Sequence, residues 1–182
     1  DWQAAWIWHP DTDAPDNFYL YARATVTLET APPGACVYVS AGSLYKLYIN
    51  GRYVGRGPNP ADPSYYYYDV HAVGALLRPG LNTVALVCYC YGPKSRGILG
   101  QNWGRGALLF ELRDARGGAP LLVSDAGWKV LQAPPWDQSA PLNCTLYADY
   151  KEVYDSRREF AGWMENGFDD AGWLAPAVLG AP

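Results

Sequence analysis

The acids that could do chemistry crowd toward one end of the chain: Asp155, Glu159, Glu165, Asp169 and Asp170. Hydrolysis of a glycosidic bond needs two carboxyl groups facing one sugar, about 5–10 Å apart. These acids are the pairs on offer, but they have a structural competitor, because carboxylates in turn-rich sequence cap backbone N–H groups and pair with nearby arginines. Asp169 and Asp170 are expected to cap the segment around Trp173 or to pair with Arg157 or Arg158. Asp69 is expected to cap a turn starting near Val70. His9 and His71 come with no Gly-x-Ser-x-Gly elbow. Gly55-Arg56-Gly57 and Gly104-Arg105-Gly106 lack the strand-to-helix context of a phosphate loop. The residues therefore predict no catalysis by this chain alone.

Cys36, Cys88, Cys90 and Cys144 allow three disulfide pairings in an oxidising compartment. The competing reading, preferred here, is small buried thiols. Cys88 and Cys90 share one face of a strand and do not meet disulfide geometry with each other. Cys-x-Cys is also a poor zinc spacing, and the two histidines give it little help.

The stronger signal is aromatic. The chain holds 15 Tyr and 8 Trp against 4 Phe, an excess of rings with polar handles. Such rings stack on the C–H face of a flat polar ligand such as a sugar, while neighbouring polar groups bond its hydroxyls. Two loops carry the pattern, and loops on a rigid scaffold are where binding groups collect. Residues 91–105 hold Tyr91, Arg96, Gln101, Asn102, Trp103 and Arg105; residues 56–68 hold Asn59, Asp62 and four successive tyrosines, including Tyr66. If those tyrosines are extended, two face inward and two outward. Elimination leaves Trp103 as the stacking residue. Trp128 is expected to sit in the core and Trp2 to fray, while Trp6, Trp8, Trp163 and Trp173 lie in terminal motifs whose resemblance, given below, implies that they clamp the chain ends. Trp136, in a proline-rich loop, is the runner-up.

These loops need a scaffold, and the sequence predicts strands. Residues 18–28 alternate Tyr19, Tyr21, Arg23 and Thr25 with Leu20, Ala22, Ala24 and Val26, the period of a half-buried strand. Further strands are expected at 36–40, 45–49, 52–55, 65–70, 82–91, 107–113, 121–123, 129–131 and 152–155, with one helical turn at 73–77. Asn50-Gly51 between apolar segments predicts a two-residue hairpin turn. Asn82, just after Pro79-Gly80, is expected to close its loop on its own backbone. About nine short strands separated by turns pack as an all-β two-sheet sandwich or jelly roll. The 182 residues are expected to form one domain, residues 1–182, cut from a longer protein. A net charge of −4 with no basic block argues against nucleic acid and anionic membrane as partners. No apolar run approaches the roughly 18 residues of a membrane-spanning helix.

Several motifs then fall in a familiar order. Trp6-Ile7-Trp8 is followed by Leu47-Tyr48-Ile49-Asn50-Gly51-Arg52-Tyr53-Val54-Gly55 and Tyr68-Asp69-Val70. Next come Leu77-Arg78-Pro79-Gly80-Leu81-Asn82-Thr83-Val84, Glu152-Val153-Tyr154-Asp155-Ser156-Arg157, Gly162-Trp163 and Phe168-Asp169-Asp170-Ala171-Gly172-Trp173. Together they resemble the N-terminal β-sandwich domain of bacterial α-L-rhamnosidases of glycoside hydrolase family 78, which is similar to galactose-binding-like jelly rolls. The resemblance implies a non-catalytic domain of a larger enzyme whose catalytic acids lie in a downstream helical barrel. It implies recognition of rhamnose-containing glycans or, as the alternative, a structural or substrate-guiding role against the rest of the enzyme. Some such domains use calcium to hold L-rhamnose. Ala41-Gly42-Ser43-Leu44, where a calcium ligand would be sought first, has no carboxylate, so the ion would have to borrow Asp62 or loop carbonyls. The resemblance implies a bacterial source and leaves the compartment open between secreted, periplasmic and cytoplasmic.

Overall fold

The structure, a computed structural model, describes residues 1–12, 15–59, 61–62, 65–94, 104–142 and 150–182. Eleven strands occur among them: β1 Trp6–Trp8, β2 Phe18–Leu28, β3 Cys36–Ala41, β4 Leu44–Ile49, β5 Arg52–Gly57, β6 Asp69–Ala72, β7 Gly80–Cys90, β8 Leu108–Arg113, β9 Leu122–Val123, β10 Lys129–Gln132 and β11 Ala177–Gly180. Two antiparallel sheets result. The first has the order β11-β1-β8-β3-β6 with β9 attached to β8; the second has the order β10-β2-β7-β4-β5. The helical content among these residues is two short 3-10 turns, Gly74–Leu76 and Ser156–Arg158. The chain is a β-sandwich.

The core follows from alternation. On β2 and β7 the inward set is Phe18, Leu20, Ala22 and Ala24 with Val84, Leu86, Cys88 and Cys90; β4 adds Tyr45, Leu47 and Ile49. From the first sheet, Val37, Val39, Leu108, Phe110 and Leu112 meet them, with Trp8 and Trp128 filling the interior. Cys88 and Cys90 are both buried on the core face, and burial raises the Cys88 pKa. Cys144 lies outside the described residues.

The β4–β5 hairpin turns at Asn50 and Gly51, with φ of 51° and 76°, the positive angles a type I′ turn requires. The Asn50 side chain then ties the hairpin to β7. Its Nδ2 donates to the Leu76 carbonyl and to Asn82 Oδ1, each at 2.9 Å, and its Oδ1 accepts from the Thr83 N–H at 2.9 Å. Asn82 closes its loop as expected, donating to the Arg78 and Gly80 carbonyls and accepting from the Arg78 N–H.

Both sheets have their outer faces crossed by a terminal segment. Over the first sheet, the buried Glu111 carboxylate accepts the backbone N–H groups of Gln3 and Ala4 and pairs with Arg113 at 2.5 Å. Trp6 meets Tyr66 edge-on at 5.1 Å, and Trp2 meets Tyr68 at 5.4 Å. Over the second sheet, Arg23 is 2% exposed and pairs with Asp170. Its guanidinium also donates to the Glu165 and Phe168 carbonyls and lies 5.4 Å over the Phe168 ring. Trp163 stacks on Tyr21 at 4.0 Å, and Trp173 packs beside it. The Tyr21 hydroxyl donates to Glu159, which also accepts from the Tyr154 hydroxyl at 2.8 Å.

Several expectations are corrected. Residues 65–68 precede β6 rather than belonging to it: Tyr65, Tyr67 and Tyr68 are 77%, 57% and 49% exposed, while Tyr66 packs on Trp6. Trp2 does not fray, because Tyr38 and Tyr68 give it ring partners. Asp69 caps no turn; it accepts from the Tyr45 hydroxyl at 2.5 Å. Residues 152–155 form one isolated bridge, Tyr154 with Trp136, and Asp155 caps the following 3-10 turn. Asp170 pairs with Arg23 across the sheet rather than with Arg157 or Arg158, whereas Asp169 does cap, accepting from the Ala171 N–H. Arg157 pairs with Asp155. β11 was missed because its four residues, Ala177–Gly180, sit in a short stretch with little alternating pattern.

Candidate functional site

The carboxy-terminal segment covers one end of the second sheet. At the other end the described residues of the outer face line a cleft of about 500 Å³. Strand order explains its floor. β2 pairs with β7, and β7 with β4, so outward residues from three strands line up: Tyr19 opposite Tyr89, Tyr89 opposite Leu44, and Val87 opposite Lys46. One wall is the end of β5 and the turn after it, Arg56 to Asn59; the other carries Tyr150 and Glu152.

The floor is a bank of rings. Tyr19 and Tyr89 lie 4.3 Å apart at 32°, and Tyr91 stands edge-on to Tyr89 at 4.9 Å. Tyr19 is backed on its other side by Trp136, parallel within 9° at 4.7 Å. The Trp136 indole N–H donates to Glu152 at 3.1 Å, which ties the wall to the floor. Tyr89 is oriented by its hydroxyl, which donates to Asn17 Oδ1 at 3.0 Å. Burial first, then Glu152 and Tyr91, raises the Tyr19 pKa, so its phenol stays protonated and can both donate and accept.

The β5 wall depends on a glycine. A Cβ on Gly57 would come within 1.9 Å of an Asp69 carboxylate oxygen. Its absence lets Asp69 reach the Tyr45 hydroxyl, which also contacts His71 Nε2 at 2.9 Å. This polar link joins β4 of one sheet to β6 of the other beneath the wall. Burial, then Asp69, raises the Tyr45 pKa, as expected of a phenol bonded to a carboxylate.

Such a site can stack on the C–H face of a flat polar ring and bond its hydroxyls. It is not built as a pair of catalytic acids. Asp155 caps a turn, Glu159 is held by two tyrosines, Asp169 caps a turn and Asp170 pairs with Arg23. Among the described residues no cluster of three His, Cys, Asp or Glu side chains could hold a metal ion. The 41–44 segment is also committed elsewhere: the Gly42 N–H donates to the Ala107 carbonyl, and Ser43 accepts from the Tyr91 N–H.

Of the residues singled out from sequence, Tyr91 and Asn59 line the cleft. Tyr66 packs on the outer face of the first sheet, and Asp62, whose carbonyl accepts from the Tyr65 N–H, does not line the cleft. Arg96, Gln101, Asn102 and Trp103 lie outside the described residues. The runner-up, Trp136, supports the cleft floor. Sequence reasoning missed Tyr19, Lys46, Arg56, Tyr89 and Glu152. One signal was available: tyrosines at alternate outward positions, 19 and 21 on one strand and 89 and 91 at the end of another.

Comparison with known proteins agrees with this fold. The family model "Alpha-L-rhamnosidase N-terminal domain" matches residues 31–182. An α-L-rhamnosidase of Streptomyces avermitilis is 33% identical over 150 residues, covering 78% of this chain and 14% of its own length. The solved structure of a glycoside hydrolase family 78 rhamnosidase from Bacillus sp. GL1 superposes with a TM-score of 0.85 at 28% identity, covering 100% of this chain and 19% of that one. A lectin of Pleurotus ostreatus shares the fold at a TM-score of 0.59 and 22% identity, covering 98% of this chain and 42% of its own. The chain spans between 14% and 20% of the length of the curated relatives it matches.

Proposed function

The chain belongs to the α-L-rhamnosidase N-terminal domain family, and from that premise we propose that it is a non-catalytic carbohydrate-recognition module of an α-L-rhamnosidase-type enzyme, holding rhamnose-containing glycans while other domains cleave them. The observation that carries this reading is the tyrosine-floored cleft, open on a sheet whose other end is sealed. The rings of Tyr19, Tyr89 and Tyr91 supply apolar surface for the C–H groups of a sugar. Asn59, Glu152 and the tyrosine hydroxyls supply hydrogen bonds. Tyr91 leads from the floor into the stretch that carries Arg96, Gln101, Asn102 and Trp103, and that stretch is proposed to complete the site.

Small sugars bound by stacking and a few hydrogen bonds reach Kd values on the order of millimolar to micromolar. The test is calorimetric titration of L-rhamnose and rhamnose-containing oligosaccharides into the wild-type domain and the Tyr89→Ala and Trp103→Ala variants. Loss of binding in both variants is expected. Equal affinity in all three proteins would move the site elsewhere. No binding to any glycan would favour the second role, packing against the rest of the enzyme. That role is supported by the exposed Tyr65, Tyr67, Tyr68 and Val70, on and just before β6, side chains of a kind enriched in interfaces. An aryl rhamnoside should not be cleaved by the domain under any of these conditions.

A further inference from the structure

Lys46 and Arg56 are direct cross-strand neighbours on β4 and β5, and both line the cleft. Like charges placed opposite one another across a strand pair destabilise the sheet. Five cations elsewhere in the chain, Arg23, Lys94, Arg113, Arg116 and Arg157, each close on an aspartate or glutamate. No described acid closes on Lys46 or Arg56, although the chain as a whole carries a net charge of −4. The acid within the cleft, Glu152, stands on the other wall and is held by the Trp136 indole. The cleft therefore carries two uncommitted cations on one wall, with a ring-lined floor beside them.

We propose that this pair recognises a carboxylate, and that the glycan seated on the tyrosines carries a uronic acid next to its neutral sugar. The inference rests on the reading of the cleft as a sugar site and adds the chemical class of its ligand. The chemistry of the two side chains suits that ligand. The Arg56 guanidinium is a planar fork that matches a carboxylate in two parallel hydrogen bonds, and the Lys46 ammonium adds a point charge from the adjacent strand. A bound carboxylate would also relieve the repulsion between them. Glu152, across the cleft, would keep the acid group to the β5 side and leave the Glu152 side for hydroxyls, so the two walls set the direction in which the chain of sugars lies.

The probes are an alternating rhamnose–galacturonic acid oligosaccharide and the same oligosaccharide after reduction of its carboxyl groups. Each is titrated into the wild-type domain and into the Lys46→Ala/Arg56→Ala double variant, at low salt and near 0.5 M salt. Wild type is expected to bind the acidic form about tenfold more tightly at low salt, a preference that shrinks as screening shortens the reach of charge. The double variant should bind both forms as weakly as wild type binds the reduced one. It removes a repulsive pair, so its melting temperature should hold or rise; Arg56→Gln, which keeps the side-chain bulk, serves as the second variant. Equal wild-type affinity for the two forms would overturn this inference and leave the sugar-site reading standing, as would a preference that survives in both variants. No binding of either form would overturn both.

Discussion

The two outer faces of the sandwich are closed by the same device to different degrees. On the first sheet, the amino-terminal segment is drawn down by Glu111, and the gap left beside it, among Trp2, Tyr38 and Tyr68, is about 150 Å³. The charges at the bottom of that gap, Glu111 and Arg113, are paired with each other. On the second sheet, the carboxy-terminal segment is drawn down by Arg23 and Tyr21 but stops short, leaving the cleft of about 500 Å³. There the cations are not paired. On the first face the charges hold the fold together; on the second, Lys46 and Arg56 close on no described acid.

The largest effects should come from breaking a seal. Asp170→Ala strands the buried Arg23 guanidinium with only carbonyl acceptors, and stranding a buried charge costs about 3 kcal/mol or more. Glu111→Ala, which frees two backbone N–H groups and Arg113, should cost a comparable amount. Urea denaturation of both variants measures this. If one is silent, the two seals are not equivalent and the comparison between faces fails. Tyr89→Ala should behave in the opposite way, costing about 1 kcal/mol of stability or less while lowering sugar affinity about tenfold, the weight of one stacked ring and its ordered hydroxyl. A stability loss as large as that of Asp170→Ala would make the cleft floor part of the scaffold instead.

Tyr21→Phe tests the hinge between the sealed and open ends. It removes the hydroxyl that holds Glu159 and should cost about 1 kcal/mol. The smallest effect is alkaline. Burial, then Glu159, raises the Tyr154 pKa to about 12, and burial with the same carboxylate raises that of Tyr21 further. Because the folded pKa lies above the unfolded value near 10, this contribution is complete below about pH 10 and is lost as pH rises through the folded values. Stability measured across that range should fall with a slope that Tyr21→Phe and Tyr154→Phe each reduce. An unchanged slope in both would mean that the phenols do not carry it.

Local signals in the sequence reached the strands and stopped at the cleft. β2 reads directly from the alternation of Tyr19, Tyr21 and Arg23 with Leu20, Ala22 and Ala24, and the hairpin reads from Asn50-Gly51, because each depends on neighbours in sequence. The family motifs brought Trp163 and Trp173 to their clamping role. The cleft is different in kind. Its residues come from β2, β4, β5, β7 and the 150–152 stretch, and only the strand order β2-β7-β4-β5 makes them adjacent. Nothing local in the sequence specifies that order. The pairing of Arg23 with Asp170 hides for the same reason, since 147 positions separate them.

β1 pairs with β11, joining Trp6–Trp8 to Ala177–Gly180, and this bears on how the protein comes to exist. A chain emerging from a ribosome makes its first strand long before residues 177–180, so the edge of the first sheet waits, unpaired, until those residues have been made. Arg23 and Tyr21 wait likewise for Asp170 and Glu159. Closure of such long loops makes folding slow and keeps sticky edges exposed meanwhile. The domain should therefore reach its native state only after release of residue 180, and ribosome-bound chains halted before Ala177 should remain sensitive to protease.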